Sequence, residues 1–255
     1  MLIGFLWKAC VVTVVVWAIL RLAQRAGPVP ASALMTLPLN AGPGFLFLAF
    51  DESDAFVRDG ALIAFAATGP VVVFAAIFAR QITRRALPVA FLIATLAWMV
   101  VPLLLAGVEM TLPLAAGLTV AGVLLGLYLV PKLSPDAPAV SEASDWRPAV
   151  ARAAAGGVVV ATVATFGGML GSEGTGLLLG FPTTITAASW AIATHYDAAF
   201  AQRVLATVPR TIASYSLFCL FTYLLIGPLS ALGAWTVAAL ISLGTAFAFA
   251  LWAPR

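Results

Sequence analysis

Charged residues are scarce in this sequence. Asp, Glu, Lys and Arg make up 9% of the 255 residues, whereas hydrophobic residues make up 63%. A water-soluble domain of this length needs far more charge on its surface, so the composition excludes one and predicts an integral membrane protein. The apolar runs extend over about 20 residues without strict alternation, which excludes a membrane β-barrel and indicates transmembrane helices.

Cysteine and histidine are nearly absent, and this limits the chemistry that we expect. The two cysteines, Cys10 and Cys219, fall inside apolar runs, so neither a disulfide framework nor a metal site is indicated. The sequence contains no HExxH, CxxC, GxSxG or phosphate-binding lysine loop, and no span carries two carboxylates or two histidines at helical spacing. We therefore expect no enzymatic activity, no cofactor and no metal.

Hydropathy predicts an all-α polytopic membrane protein with nine spans. They lie near residues 2–22, 31–50, 60–80, 87–107, 111–131, 149–170, 175–194, 204–226 and 229–252. The first run has no basic residue before it, and Arg21 and Arg25 follow it, so we interpret it as a retained span rather than a signal peptide. The segment 131–148, rich in Pro, Ser and Ala, is a linker between the two halves.

The basic residues are divided unevenly between the two sides of this topology. One side carries Lys8 and Arg58. The other carries eleven: Arg21, Arg25, Arg80, Arg84, Arg85, Lys132, Arg147, Arg152, Arg203, Arg210 and Arg255. By the positive-inside rule, the N-terminus lies outside and the C-terminus in the cytoplasm. The net charge of +3 therefore reflects cytoplasmic loops, and we expect no nucleic-acid partner.

The two halves match each other when the sequence is shifted by 144 residues. Pro38 then falls on Pro182 and Lys8 on Arg152, and the first four spans fall on the last four. We predict a four-helix repeat over 1–107, a connecting helix and linker over 108–148, and a second four-helix repeat over 149–255, all in one membrane domain. Five spans separate the starts of the repeats, so the second is inverted, as is usual in secondary transporters.

The second repeat resembles the GlpM family of small four-helix bacterial inner-membrane proteins. The resemblance rests on residues 176–207, with Arg152, the run 181–184 (FPTT) and His195-Tyr196 at the matching places. In the first repeat it rests on Lys8 and the run 37–39 (LPL). The resemblance implies a location in the bacterial inner membrane and a loose association with exopolysaccharide production. It supplies no defined reaction, and a fused double unit departs from the family pattern.

Prolines interrupt the second and the seventh predicted spans. Pro38 and Asn40 lie in TLPLNAGPG, and Pro182 lies in GFPTTIT, followed by Thr183, Thr184 and Thr186. A proline inside a helix leaves carbonyls without their partners, and lipid supplies none. The sequence leaves two interpretations open: kinked helices whose carbonyls bond to the threonines, or two discontinuous helices that line a central site.

Four ionisable residues complete the candidate set. Lys8 and Arg152 either reach the lipid headgroups or face inward and attract an anionic group. Glu173 lies in a predicted outer loop, GSEGTG, as a solvated turn or part of a gate. His195, the single histidine, is either an interface residue or a proton-coupling group.

These features predict a secondary transporter or flippase-like permease. The expected partners are membrane lipids and a small or lipid-linked substrate, held by Asn40, Thr183, Thr184 and unwound backbone, with Lys8 and Arg152 favouring an anionic group. The alternative is a non-transporting scaffold or accessory subunit of an envelope or exopolysaccharide assembly. The sequence leaves a homo-oligomer open.

Overall fold

The computed structural model describes residues 5–11, 13, 14, 17, 36–105, 107–133, 147–195 and 197–252, and these residues form an all-helical protein. At residues 147–157 and at positions 159, 160, 163, 164, 167, 168, 191, 195, 250 and 252, it describes the backbone alone. Residues 5–11 form a helical segment, called the N-terminal helix below. The helices between residues 41 and 252 are α1 (Ala41–Asp51), α2 (Asp54–Ala66), α3 (Thr68–Gln81), α4 (Leu87–Leu104), α5 (Leu112–Leu129), α6 (Arg147–Gly180), α7 (Thr183–His195), α8 (Ala198–Thr211), α9 (Ala213–Leu225) and α10 (Ala231–Trp252).

Two long helices form the centre of the protein. The first central helix, Asp54–Gln81, joins α2 and α3, and the second, Ala198–Leu225, joins α8 and α9; each has 28 residues. A helix of this length spans roughly 42 Å, more than the hydrocarbon core of a bilayer. In its most apolar stretch the first central helix is 83% buried, against 17% in α4 and 22% in α5 and α10. The central helices therefore form the core, and α4, α5 and α10 lie outside it.

Each central helix is distorted near its middle but does not end there. Pro70 has no N–H that could donate to the carbonyl of Ala66, so one helical hydrogen bond is missing. Ala67, which lies between these two residues, is a turn rather than regular α-helix. Pro209 lies one turn before the irregular residue of the second central helix, Ile212. Ala67 and Ile212 keep helical dihedrals, with φ −66° and ψ −14° for the former and φ −61° and ψ −16° for the latter. The chain direction is therefore maintained through both distortions.

The two central helices are antiparallel. Arg58 near the start of the first lies against Tyr223 near the end of the second, with the guanidinium 4.7 Å from the ring centroid. Gln202 near the start of the second donates a 2.8 Å hydrogen bond to the carbonyl of Ala79 near the end of the first. Gln202 follows Arg58 by 144 residues, and Tyr223 follows Ala79 by 144 residues. One contact is therefore the image of the other under the shift found in the sequence.

The outer helices present a wide apolar surface. Large hydrophobic side chains are exposed along α4, α5 and α10, among them Leu96, Leu124 and Leu240, which are exposed by 59%, 62% and 65%. A continuous apolar surface along three helices is rare on soluble monomers and marks contact with a membrane or a partner. In the part of the chain that the structure describes, six helices are long and apolar enough to cross a membrane. Together these observations agree with a membrane-embedded helical protein.

Helix α5, predicted as the connector between the repeats, packs tightly on the first central helix. A Cβ added at Gly122 would lie 2.2 Å from the Cα of Gly69, and one added at Gly126 would lie 2.3 Å from a methyl group of Val72. The hydroxyl of Thr119 donates to the carbonyl of Phe65 at 2.8 Å. Small residues four apart allow such close approach of two helices in a membrane.

Several predicted spans differ from the observed helices, and one cannot be compared. The first predicted span, 2–22, lies largely outside the described residues. In the second, 31–50, residues 36–40 form a turn and the helix begins at Ala41, whereas residues 31–35 lie outside the described residues. The sixth and seventh are joined in α6, which is kinked at Gly171 (φ 70°, ψ 170°). Glycine alone adopts such dihedrals without strain, so the kink occurs at this residue.

Candidate functional site

A small cavity of about 30 Å³ lies where the two interrupted segments meet at the centre of the protein. One wall comes from the turn before α1, and the opposite wall from residues 179–185, where α6 ends and α7 begins. Val71, Ile212 and Tyr215 of the two central helices close the remaining sides. The cavity therefore contacts both halves of the chain.

The backbone shows how each proline interrupts its helix. Helix α1 starts at Ala41, and the amide of Gly42 donates to the carbonyl of Pro38 at 2.5 Å. Helix α6 ends at Gly180, and α7 starts at Thr183, whose amide donates to the carbonyl of Phe181 at 2.8 Å. The residue before a proline is disfavoured in helical dihedrals, so neither helix can run through its proline unchanged. Both α1 and α7 therefore begin at the cavity wall.

Uncharged polar groups line the cavity. Thr36, Asn40, Thr184 and Tyr215 contribute hydroxyl or amide groups, and each is at most 9% exposed. The Asn40 side chain makes no capping hydrogen bond to α1. The Tyr215 hydroxyl has no full hydrogen-bond partner among the described residues, and its polar neighbour on the same helix is the thiol of Cys219, a weak hydrogen-bonding group. The cavity thus offers polar groups that a ligand could satisfy.

The electrostatic character of the cavity comes from the backbone. None of its described lining residues is charged. However, α1 and α7 both begin here, and the start of a helix carries partial positive charge even though the amides of Gly42 and Thr183 are already hydrogen-bonded. Two helix N-termini beside buried hydroxyls favour an anionic or strongly dipolar group.

The lining residues are related by the shift of 144 positions. Thr36, at one wall, corresponds to Gly180 at the other, and Asn40 corresponds to Thr184. The complete set of such pairs is Thr36 with Gly180, Leu37 with Phe181, Asn40 with Thr184, Ala41 with Ile185, and Val71 with Tyr215. The two halves therefore contribute corresponding segments to one cavity.

The structure brings some of the predicted site residues together and separates others. Asn40 and Thr184 line the cavity, whereas Pro38 lines a different groove on the far side of its turn. The hydroxyls of Thr183 and Thr186 are buried without a hydrogen-bond partner in the described residues, and neither residue lines the cavity. They lie on another face of α7 from Thr184.

The structure does not bring Lys8 to this cavity. Its ammonium forms a 2.5 Å ion pair with Asp51 at the far end of α1, roughly 16 Å along the helix from Asn40. Lys8 is only 8% exposed. The backbone of Arg152 lies in α6 and that of His195 ends α7, but their side chains lie outside what the structure describes.

Glu173 corrects a sequence expectation. It was predicted in a loop, but it belongs to the helical stretch that follows the kink at Gly171, because one unusual glycine lets the helix resume immediately. Glu173 borders a second, larger cavity of about 300 Å³, which Pro70, Pro102 and Met110 also line. Ala67 lines this second cavity, and a Cβ added at Gly180 in the first would lie 2.8 Å from the Ala67 Cβ. The linings of the two cavities therefore approach each other closely at Ala67 and Gly180.

Two polar residues of the cavity wall, Thr36 and Tyr215, were not predicted from the sequence. Thr36 precedes Pro38 by two residues and could have been included with that interruption. Tyr215 lies on the second central helix, in a sequence that reads as an ordinary apolar span. Tyr215 corresponds to Val71 under the 144-residue shift. This correspondence places Tyr215 at the cavity only after the structure has shown that Val71 lines the cavity.

Comparison with protein-family models, with curated proteins and with solved structures found no match to this chain. The similarity to the GlpM family therefore stays a prediction from the sequence.

Proposed function

We propose that this chain is a secondary transporter or flippase-like permease of the bacterial inner membrane. It holds its substrate in the central cavity, between the starts of α1 and α7. The observation that carries the proposal is that α1 and α7, from opposite halves, both begin at one cavity that contains buried polar side chains. Discontinuous helices at the interface of two repeats are the usual substrate site of secondary transporters.

An inverted repeat is part of the proposal. The paired contacts of Arg58 with Tyr223 and of Gln202 with Ala79 support it, because they exchange under a twofold rotation of the halves. The two central helices run in opposite directions. A twofold rotation can therefore superpose one on the other only if its axis is perpendicular to both helices. In a membrane that axis lies in the bilayer plane, which is the arrangement of inverted repeats.

The substrate group at this site is anionic or strongly dipolar. The paired helix N-termini support this assignment. The expected contribution of Lys8 is not needed, since its charge is balanced by Asp51 at a distance from the cavity. The group enters either as a small solute or as the head of a lipid-linked molecule.

The second cavity serves as the entrance on the side of Glu173. The close approach of Ala67 and Gly180 supports a closed state of this entrance. Alternating access then requires that this contact opens while the opposite side closes, by movement of one repeat against the other.

Cysteine labelling tests the proposal without a known substrate. In a variant with Cys10→Ala and Cys219→Ala, we place Thr184→Cys in the cavity and treat membrane vesicles of each orientation with a membrane-impermeant thiol reagent. A transporter exposes the cavity to each side in turn, so we expect labelling from both sides. Ser189→Cys, at a fully buried position of α7 that does not line the cavity, is the matched control and should stay unlabelled.

A scaffold gives a different result. If the interruptions are only kinks, Thr184→Cys reacts from neither side, and the transport proposal fails. Once a transported solute is identified, Thr183→Val and Thr184→Val separate the two threonines. We expect Thr184→Val alone to reduce transport, because Thr183 does not line the cavity.

A further inference from the structure

Arg210 lies midway along the second central helix. It follows Gln202 by eight residues and precedes Tyr223 by thirteen, so it lies roughly 12 Å and roughly 20 Å from the two contacts that mark the ends of the core. Those contacts are separated along the helix by roughly 30 Å, about the hydrocarbon thickness of a bilayer. Long basic side chains reach the headgroups from positions near helix ends, and Arg210 is not near an end. Its charge therefore lies within the membrane-spanning part of the protein.

Arg210 is accessible although it belongs to a buried helix. Among residues 198–223, all of which the structure describes, it is the one exposed residue. Its neighbours Pro209 and Thr211 are buried. A charged group in contact with hydrocarbon is strongly disfavoured, and intramembrane arginines face the interior of a bundle or a water-filled space. The exposure of Arg210 at this depth therefore indicates a cleft that admits water or polar groups.

Within the part of the chain that the structure describes, no carboxylate forms an ion pair with Arg210. Of the helices that pack on the second central helix, α3, α5, α7 and α10 contain no Asp or Glu, and α2 contains them only in its first two turns, as Asp54 and Asp59. The nearest acidic residue along the helix axis is Asp197, roughly 20 Å away. The sequence before α1 contains no acidic residue either. The guanidinium can therefore bind an anionic group that comes from outside the protein.

Polar residues surround Arg210 on one face of the second central helix. Thr207 and Ser214 lie one turn before it and one turn after it, and Thr211 follows it directly. The shift of 144 residues relates these four positions to residues that line the second cavity: Thr207 to Ile63, Arg210 to Ala66, Thr211 to Ala67, and Ser214 to Pro70. A face that is apolar in one half is therefore polar and charged in the other. This comparison rests on the repeat of the proposed function, whereas the depth and the exposure of Arg210 do not.

Arg210 lies next to a bond at the wall of the central cavity. The carbonyl of Thr211 accepts the hydrogen bond of Thr36, and Thr36 lines the cavity. The end of the core that carries Arg80 and Arg203, called the arginine-rich end below, lies on the other side of Arg210. An anion that enters from this end therefore meets Arg210 before it reaches the cavity.

We propose that Arg210 binds a phosphate or carboxylate group within the membrane, at the approach to the central cavity from the arginine-rich end. The planar fork of a guanidinium matches two oxygens of such a group. The inference rests on the proposed function in one respect, since it names the class of anionic group that the transporter takes. The group belongs either to a soluble anion or to the head of an anionic lipid, and the experiment separates these two sources.

Charge-selective labelling tests the site. In the full chain with Cys10→Ala and Cys219→Ala, held in phosphatidylcholine nanodiscs, Thr207→Cys places a thiol one turn from Arg210. An anionic and a cationic methanethiosulfonate reagent give two labelling rates, and their ratio reports the local charge. Arg210→Gln should lower the ratio of the anionic to the cationic rate about tenfold, as for unit charges roughly 7 Å apart in a hydrated cleft. Thr83→Cys, exposed at the arginine-rich end, is the matched control, and its ratio should not change.

Added anions identify the source of the bound group. If it is soluble, inorganic phosphate or acetate at constant ionic strength should slow the labelling of Thr207→Cys several-fold relative to Thr83→Cys, and Arg210→Gln should remove this protection. If it is a lipid head, the soluble anions have no effect, and phosphatidylglycerol in the nanodiscs protects Thr207→Cys instead.

Three results overturn the site: an unreactive Thr207→Cys in folded protein, a ratio that Arg210→Gln leaves unchanged, or protection by neither kind of anion. If Arg210→Gln does not give a monodisperse protein, the protection experiments with Arg210 in place decide. A scaffold that carried this site would still show the charge effect at Thr207→Cys. Failure here is therefore distinct from failure of the labelling test at Thr184.

Discussion

The hydroxyl of Thr36 donates a 3.0 Å hydrogen bond to the carbonyl of Thr211, 175 residues further along the chain. This bond ties the turn before α1 to the distorted turn of the second central helix. The corresponding positions, Gly180 and Ala67, are also in contact. Both interrupted segments are therefore anchored on the central helix of the other half.

We expect Thr36→Val to destabilise the protein. The substitution keeps the shape of the side chain but leaves a buried carbonyl at Thr211 without this donor, at a cost of about 1–2 kcal/mol. Thermal unfolding of the purified protein in detergent measures the effect. Thr36→Ser restores the donor and should recover most of the loss; equal losses for both variants would show that the hydrogen bond is not the cause.

The close packing of α5 on the first central helix predicts a contrast between two glycines. Gly122→Ala drives a Cβ into the backbone at Gly69 and should cost about 1–3 kcal/mol or more. Gly117→Ala, on the same helix, meets no atom within 4 Å and should be neutral or stabilising by about 1 kcal/mol, because alanine favours a helix. Thermal unfolding compares the two, and similar losses would contradict the packing.

The ion pair of Lys8 and Asp51 predicts that removing Asp51 destabilises the protein more than removing Lys8 does. Asp51→Asn removes the carboxylate that balances a buried ammonium and should cost about 3 kcal/mol. Lys8→Met leaves a half-exposed carboxylate that water can solvate, so its loss should stay below about 1 kcal/mol. The stabilities of both variants and of the neighbouring control Glu52→Gln decide this. Equal effects of Asp51→Asn and Glu52→Gln would refute the role of the pair.

The antiparallel central helices predict which engineered cysteines cross-link. Without the native cysteines, Arg58→Cys with Tyr223→Cys should form a short cross-link, as should Ala79→Cys with Gln202→Cys. Arg58→Cys with Gln202→Cys should not, because the two positions lie at opposite ends of the core, roughly 30 Å apart. Gel mobility after treatment with a bifunctional thiol reagent measures each pair. A cross-link in the third pair would exclude the antiparallel arrangement.

The distribution of arginines predicts the orientation in the membrane. Glu109→Cys, in the connection between α4 and α5, should react with an impermeant reagent from outside. Arg84→Cys, beyond the end of the first central helix, should react from the cytoplasmic side. Labelling of intact cells and of inverted vesicles separates the two, and the opposite pattern would reverse the topology.

The helix ends were predicted best where a continuous apolar run coincides with the helix. Helices α4 and α5 were predicted closely, since each has an uninterrupted apolar run with Pro in its first turn. The first central helix was predicted from residue 60 but begins at Asp54, because hydropathy does not detect its polar first turn. The helix after residue 147 was predicted to end near 170, and the regular helix does break there, because Gly171 has non-helical dihedrals; a second helical stretch follows it directly.

The candidate site was predicted where a local signal existed. Proline marks an interruption by its missing N–H, so Asn40 and Thr184 were found beside Pro38 and Pro182. Tyr215 lacks such a signal, because its place depends on which face of the second central helix meets the other half. Lys8 was assigned by its match with Arg152, but a long-range partner, Asp51, holds its charge.

The sequence by itself determined the membrane class, the helical character, the positions of the two interruptions and the shift of 144 residues, because composition, proline and periodicity act locally along the chain. Tertiary structure alone decided that the interruptions meet. It also decided that Thr36 and Tyr215 join them and that Lys8 lies apart. These features depend on packing between residues more than 100 positions apart, and no local pattern records which faces come together.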